Sequence, residues 1–175
     1  MLIVDKVLII IGQALGIVAV ILGFVNYQMK TRKQVLYVNI ATVVCLSVHY
    51  FLIGAYVGMA LNTIAIIRNI VYYFTGNNPR LNRNWAAIFA VIMGIAGALS
   101  WEGWYSVFII AGLVINSYCM SFQNPNNLRK SILISCPMAV VYNCFVMSIG
   151  GIIYESVAIL SAAIGLLRFR KNKTV

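Results

Sequence analysis

The chain has 175 residues, of which 62% are hydrophobic and 9% charged. A water-soluble domain carries about 25% charged residues, so this composition cannot clothe a water-facing surface and excludes an ordinary soluble domain. The net charge of +10, from 13 Lys and Arg against 3 acidic residues, would suggest nucleic acid in a soluble protein. Here the basic residues stand in short clusters between apolar runs, which is how topology signals lie beside anionic lipid, so no nucleic-acid partner is expected.

A spanning helix needs about 20 mostly apolar residues. Seven such spans with short loops use nearly the whole chain, giving a single membrane domain over 1–175 with the lipid bilayer as its first partner. The helices are predicted at about 7–28, 34–54, 57–76, 84–101, 104–122, 129–148 and 151–169. Lys30 to Lys33 end the first, and Gly54 and Gly58 mark a tight turn after the second. The run Gly76-Asn77-Asn78-Pro79 closes the third, Glu102-Gly103 separates the fourth and fifth, Gln123 to Asn127 the fifth and sixth, and Gly150-Gly151 the last two. Gly, Pro and Asn are the usual punctuation at such places. The first apolar stretch, Val7 to Phe24, is followed rather than preceded by basic residues, which fits a retained helix better than a signal peptide.

Charge is distributed by side. Lys30, Arg32, Lys33, Arg80, Arg83, Arg129, Lys130, Arg168, Arg170, Lys171 and Lys173 fall at one end of the predicted bundle; Lys6, Asp5 and Glu102 fall at the other. The positive-inside rule then puts the N-terminus outside and the C-terminus in the cytoplasm. Trp101, Trp104 and Tyr105 sit at the outer interface and Trp85 at the inner one, where amphipathic rings prefer to lie.

A faint internal repeat is present. A shift of 93 residues takes Val48 to Val141, Gly58 to Gly151, Ala65 to Ala158 and Ile66 to Ile159; a shift of 91 takes Tyr27-Gln28-Met29 to Tyr118-Cys119-Met120. Both halves read as helix, basic loop, helix, Gly-marked turn, helix. The expected architecture is all-α, 3+1+3: repeat one over 7–76, a linker helix over 84–101 and repeat two over 104–169. Because three is odd, the linker makes the two triplets parallel repeats about an axis along the membrane normal.

The stretch His49-Tyr50-Phe51-Leu52-Ile53-Gly54-Ala55-Tyr56-Val57-Gly58, with Ala60-Leu61-Asn62 and Ile67-Arg68-Asn69 after it, resembles the YgjV-like family of bacterial inner-membrane proteins. That family is similar to the wider SWEET, PQ-loop and nicotinamide-riboside carrier group. The resemblance implies a bacterial inner membrane and a SWEET-like fold, and it implies no particular substrate. One departure stands out. Where the PQ-loop signature has Pro-Gln, this chain reads Asn26-Tyr27-Gln28 and Asn116-Ser117-Tyr118, so a hinge of that type is in doubt. Pro137, inside the sixth helix, is the only intramembrane proline and the alternative source of a kink.

Ionisable groups at membrane depth are expensive and usually face a cavity or a partner. Three stand out: His49, Arg68 and Glu155. Arg68 has two readings, a contact to an anionic or polar solute, or a structural tie to carbonyls or a tyrosine. Glu155 matches Asn62 in the repeat and His49 matches Tyr142, so these four are expected in one polar layer with Asn143 beside them. The competing reading pairs Glu155 with His49 or Arg68 to hold two bundles together. The candidate substrate-binding set is therefore Arg68, Asn62, Glu155, His49, Asn143 and Tyr142. In SWEET proteins asparagines at the matching layer contact substrate, which is what the resemblance implies for Asn62. Gln13, Asn26, Asn39, Asn69 and Asn116 are weaker candidates, better read as interhelical hydrogen bonds. Gly12 and Gly16 allow close helix approach.

Cys45, Cys119, Cys136 and Cys144 form no C-x-x-C pair and lie in apolar segments, so neither metal nor disulfide is expected. No nucleophile–base pair, H-E-x-x-H or phosphate loop is present, so an enzyme is not expected and no cofactor is implied. The leading expectation is a transporter or facilitator of a small polar metabolite, such as a sugar, vitamin precursor or nucleoside-like molecule. A non-transporting assembly or sensor protein is the alternative, and homo-oligomerisation stays open.

Overall fold

A computed structural model describes residues 2–28, 32–75, 78–121 and 125–171. The described residues form seven helices and no strand: α1 (Leu2–Gln28), α2 (Arg32–Leu52), α3 (Tyr56–Thr75), α4 (Pro79–Leu99), α5 (Ser106–Cys119), α6 (Pro125–Phe145) and α7 (Ile149–Lys171). Three of them, over Lys6–Asn26, Tyr56–Thr75 and Pro79–Leu99, are long and apolar enough to cross a membrane. The other four contain shorter apolar helices, over Leu36–Leu52, Ser106–Cys119, Lys130–Phe145 and Ile149–Ile164.

Two boundaries differ from the sequence expectation for clear local reasons. Helix α4 starts at Pro79 rather than near 84, because the Asn78 side chain accepts the Leu81 N–H and Pro79 occupies a first-turn position that needs no donor. Helix α5 is shorter than the predicted 104–122. The residues before it form a turn, with the Ser106 N–H donating to Gly103 O, and the chain turns again at Met120 and Ser121.

The α2–α3 and α6–α7 turns are built alike, 93 residues apart. Gly54 has φ +78° and Met147 has φ +54°. Ala55 N–H donates to Tyr50 O and Ser148 N–H to Asn143 O, both at 2.9 Å; Ile53 N–H donates to His49 O and Val146 N–H to Tyr142 O, both at 3.1 Å. A residue in left-handed conformation after a helix, with the chain folding back onto carbonyls of the last turn, is how a helix ends without stranding those carbonyls. Glycine supplies that conformation freely in the first turn; methionine adopts it in the second at a steric cost.

The helices pack in a ring, α1 on α2, α2 on α3, α3 on α5, α5 on α6, α6 on α7 and α7 back on α1, with α4 laid against α3 and α5. Burial is inverted relative to a soluble protein. Ile10, Ile21, Phe74, Leu99, Leu160 and Ile164 are exposed, while Thr42, His49, Arg68, Asn69, Asn82, Ser117, Asn143 and Ser148 are buried. Apolar outside and polar inside is the pattern a hydrocarbon solvent selects. The inner apolar core joins Leu46, Tyr50, Val57, Leu61, Ala65, Met93, Ile109, Ala139 and Tyr142.

The tightest seam is α1 against α7. A Cβ on Gly16 would lie 2.8 Å from the Gly150 Cα, and one on Gly150 would lie 2.5 Å from the Gly16 Cα. Both neighbours are backbone and cannot rotate away. Gly12 also serves close approach, its hypothetical Cβ lying 3.0 Å from Leu52 Cβ on α2. Gly94, by contrast, has nothing within 4 Å. Gly16→Ala is therefore expected to lower stability by about 1–3 kcal/mol, as overpacking against fixed atoms does, while Gly94→Ala leaves it unchanged or slightly raised. Thermal unfolding of the two variants in detergent measures the difference.

Candidate functional site

The first-turn N–H groups of a helix have no partner within the helix. In α3 these are met from elsewhere: Glu102 Oε1 accepts the Val57 N–H at 3.0 Å, and Tyr142 Oη accepts the Gly58 N–H at 3.1 Å. Tyr142 in turn donates to Glu102 Oε2 at 3.1 Å. The carboxylate thus sits at the positive end of the α3 dipole and binds the α4–α5 connection to α3 and α6. The corresponding donors of α7, 93 residues on, find other partners. Gly150 N–H donates to Gln13 Oε1 at 3.2 Å and Gly151 N–H to Ser148 Oγ at 3.1 Å.

His49 joins the same layer. Its Nδ1 is 2.7 Å from Gly12 O and its Nε2 is 2.6 Å from Ser148 Oγ. The ring is fully buried and links α2 to α1 and to the α6–α7 turn. Gln13 Nε2 donates to Met147 O at 2.9 Å, fastening α1 to that turn a second time. Tyr50 donates to Asn143 Oδ1 at 2.7 Å, joining α2 to α6. Tyr50 and Asn143 are themselves 93 residues apart, and each packs on the glycine of its own half. A Cβ on Gly58 would meet the Tyr50 ring at 2.9 Å, and one on Gly151 would meet Asn143 Oδ1 at 2.7 Å.

Arg68 lies elsewhere, twelve residues past the start of α3 and 2% exposed. Its Nε and Nη2 donate to Asn69 Oδ1 at 3.2 and 3.1 Å, and Asn69 Nδ2 donates to Asn39 Oδ1 on α2 at 2.6 Å. Its Nη1 is buried without a hydrogen-bond partner. One turn further along α3, Tyr72 donates to the Ser117 carbonyl of α5 at 3.2 Å, and the Ser117 hydroxyl is buried and also lacks a partner.

Of the sequence candidates, His49, Tyr142 and Asn143 come together in the layer at the Glu102 end. Asn62 is buried, but its Nδ2 donates to Gly58 O within its own helix at 2.8 Å. Glu155 is half-buried on α7, with Cys136 of α6 as its neighbour. Asn62 therefore bonds to the same Gly58 whose N–H Tyr142 accepts, and among the described residues no hydrogen bond joins Asn62 to His49. Nor do the described residues pair Glu155 with His49 or Arg68, whose bonds go to Gly12, Ser148 and Asn69. The weaker candidates Asn39 and Asn69 do form the interhelical bond expected of them.

Tyr50, Ser148 and Glu102 were not among the candidates. The 93-residue shift that pairs His49 with Tyr142 also pairs Tyr50 with Asn143, and following it one position further would have found Tyr50. Glu102 carried only a topology signal, since nothing local to Trp101-Glu102-Gly103 announces that its side chain reaches α3.

An apolar exterior, a polar interior and helix ends sealed by side chains define an all-α membrane protein. Residues 10–173 match the family described as "Bacterial inner membrane protein", Imp-YgjV, and the chain belongs to that family. It is 24% identical over 163 residues to the inner membrane protein YgjV of Escherichia coli (strain K12), covering 91% of this chain and 84% of that protein. No solved structure matches the chain.

Removing one member of a buried hydrogen bond strands the other at a cost of about 1–3 kcal/mol. Tyr142→Phe strands the Gly58 N–H and one Glu102 oxygen, so it is expected to cost more than Tyr50→Phe. Combining Tyr50→Phe with Asn143→Leu is expected to recover about 0.5–1.5 kcal/mol relative to the sum of the single losses. Unfolding titrations in mild detergent on the four proteins give that coupling directly.

Proposed function

We propose that the chain is a seven-span transporter or facilitator of a small polar metabolite, built as two parallel three-helix units, α1–α3 and α5–α7, with α4 as the inverting linker. Its N-terminus is outside and its C-terminus cytoplasmic. The observation that carries this reading is a set of buried polar atoms without partners, spread over both units: Asn26 Oδ1 on α1, Arg68 Nη1 on α3, Ser117 Oγ on α5, and Ser135 Oγ and Asn143 Nδ2 on α6. Buried polar atoms in native proteins are overwhelmingly paired, and an unpaired one calls for a reason. A solute with hydroxyl, amide or anionic groups supplies that reason. Two of the five, Asn26 and Ser117, correspond under the 91-residue shift.

Within this reading the layer of Glu102, Tyr142, His49, Ser148, Tyr50 and Asn143 is a closed gate. Its bonds cross between the units: α3 to α6, α2 to α6, and α1 and α2 to the α6–α7 turn. Opening that end would separate these pairs and let water replace them, whereas the groups near Arg68 hold the solute. The parallel-repeat reading draws support from the two matched turns with their equivalent bonds.

The non-transporting alternative draws on one fact, that both His49 nitrogens and both Glu102 oxygens are engaged. A rigid assembly protein needs such closure permanently. The unpaired atoms outside that layer, Arg68 Nη1 and Ser117 Oγ among them, favour transport.

In proteoliposomes, Arg68→Ala and Glu155→Ala are expected to abolish uptake of a metabolite found by thermal-shift screening, since a ligand that binds only the folded protein raises its melting temperature. Both variants should remain monodisperse in detergent. Uptake at the wild-type rate by both would place the solute site elsewhere. Reporter fusions locating both termini on one side of the membrane would remove the odd span count that the parallel arrangement needs.

A further inference from the structure

Arg68 is 2% exposed, and among the described residues its hydrogen bonds go to Asn69 rather than to a carboxylate. The whole sequence holds three acidic residues, Asp5, Glu102 and Glu155. Glu102 is engaged by Val57 and Tyr142, Glu155 has Cys136 of α6 as its neighbour, and Asp5 lies in the opening residues of α1. Neither described acidic side chain, Glu102 or Glu155, is paired with this buried cation.

What surrounds Arg68 orients it instead. A guanidinium carries five N–H donors in a planar fork. Asn69 Oδ1 takes the edge formed by Nε and Nη2, and Asn39 holds Asn69 in place. Nη1 keeps both of its N–H groups unused. The remaining edge of the fork, Nη1 with the second Nη2 proton, is the geometry that takes two oxygens of a carboxylate or phosphate. One turn further along α3, Tyr72 reaches the Ser117 carbonyl of α5, and the Ser117 hydroxyl is buried without a partner.

We infer that Arg68, positioned by Asn69 and Asn39, binds the oxyanion group of a ligand, a carboxylate or a phosphate, with the Ser117 hydroxyl as a further contact. The inference rests on the transport reading only where it makes that anion a substrate; the binding itself stands on the guanidinium. Two sources share this chemistry, a free organic or inorganic anion and the headgroup of an anionic lipid.

The test uses the full chain in phosphatidylcholine nanodiscs. Inorganic phosphate and acetate are titrated at constant ionic strength against chloride, and a second set of discs contains phosphatidylglycerol. At a hundredfold excess over Kd, an anion bound by the folded protein raises the melting temperature by about 5–10 °C. That shift is expected with phosphate or acetate in the wild type and lost in Arg68→Gln. Arg68→Lys keeps the charge without the fork and is expected to bind about tenfold more weakly. Without anion, Arg68→Gln is expected to unfold at or above the wild-type temperature, because it removes an uncompensated buried charge.

A shift only with phosphatidylglycerol, absent in Arg68→Gln, keeps the oxyanion site but assigns it to lipid and overturns its role in substrate binding. No shift from any anion, or an equal shift in Arg68→Gln, overturns the site. If Arg68→Gln fails to fold, the arginine side-chain nitrogen resonances of the wild type decide. Movement of the signal missing from Arg68→Lys on adding phosphate supports the site, and its absence overturns it. Arg68-dependent binding without uptake into proteoliposomes would defeat the transport reading and leave the anion site standing.

Discussion

Everything at the Glu102 end follows from one constraint: the first N–H groups of a helix have no partner within that helix, and apolar surroundings cannot supply one. Helices α3 and α7 both begin there, immediately after tight turns that leave no room for a solvated loop. Their orphan donors have to be met by side chains brought from other helices. Glu102 and Tyr142 serve α3, while Gln13 and Ser148 serve α7. Each of Glu102, Tyr142 and Gln13 arrives from another part of the chain, so capping a helix and fastening the two halves together are one act. Breaking a cap at this end also loosens a seam.

The two halves meet the same need with different residues, and the difference has structural consequences. On α3 the partner is a carboxylate, which complements the helix dipole and draws the α4–α5 connection inward. On α7 the partner is a neutral amide from α1, and α1 is pulled so close that Gly16 and Gly150 touch backbone to backbone. A larger residue at either glycine would hold α1 too far away for Gln13 to bridge Met147 and Gly150. The glycine pair and the glutamine therefore depend on each other, although they satisfy quite different physical requirements.

The sequence made some of this legible. Uniform apolarity, the rhythm of Gly, Pro and Asn, and a 93-residue echo were enough for seven helices, their order and the α1 glycines. Rotation of each helix about its axis was not legible. In a soluble protein an apolar stripe reports the buried face. Here the lipid-facing side is apolar and the interior mixes apolar with polar residues, so apolarity does not mark the buried face, and the sequence does not show that Asn62 bonds to its own Gly58 carbonyl or that Glu155 neighbours Cys136. The residues marked by repetition, His49, Tyr142 and Asn143, lie in the layer at the Glu102 end. Glu102 was missed because a loop acid has no helical phase to read.

Arg68 shows how the choice of a neighbour separates orientation from neutralisation. Burying an arginine at the centre of a spanning helix costs roughly 2.5–3.5 kcal/mol on insertion scales. An aspartate at position 69 would offset much of that by forming a permanent ion pair, and it would leave the guanidinium satisfied and inert. Asparagine presents the same acceptor oxygen to the same Nε and Nη2 atoms but carries no charge. Its amide then bonds to Asn39, which fixes the oxygen in place. The outcome is a cation held in one geometry with its charge still available, a poor arrangement for stability alone and a suitable one for an anion that must arrive and leave.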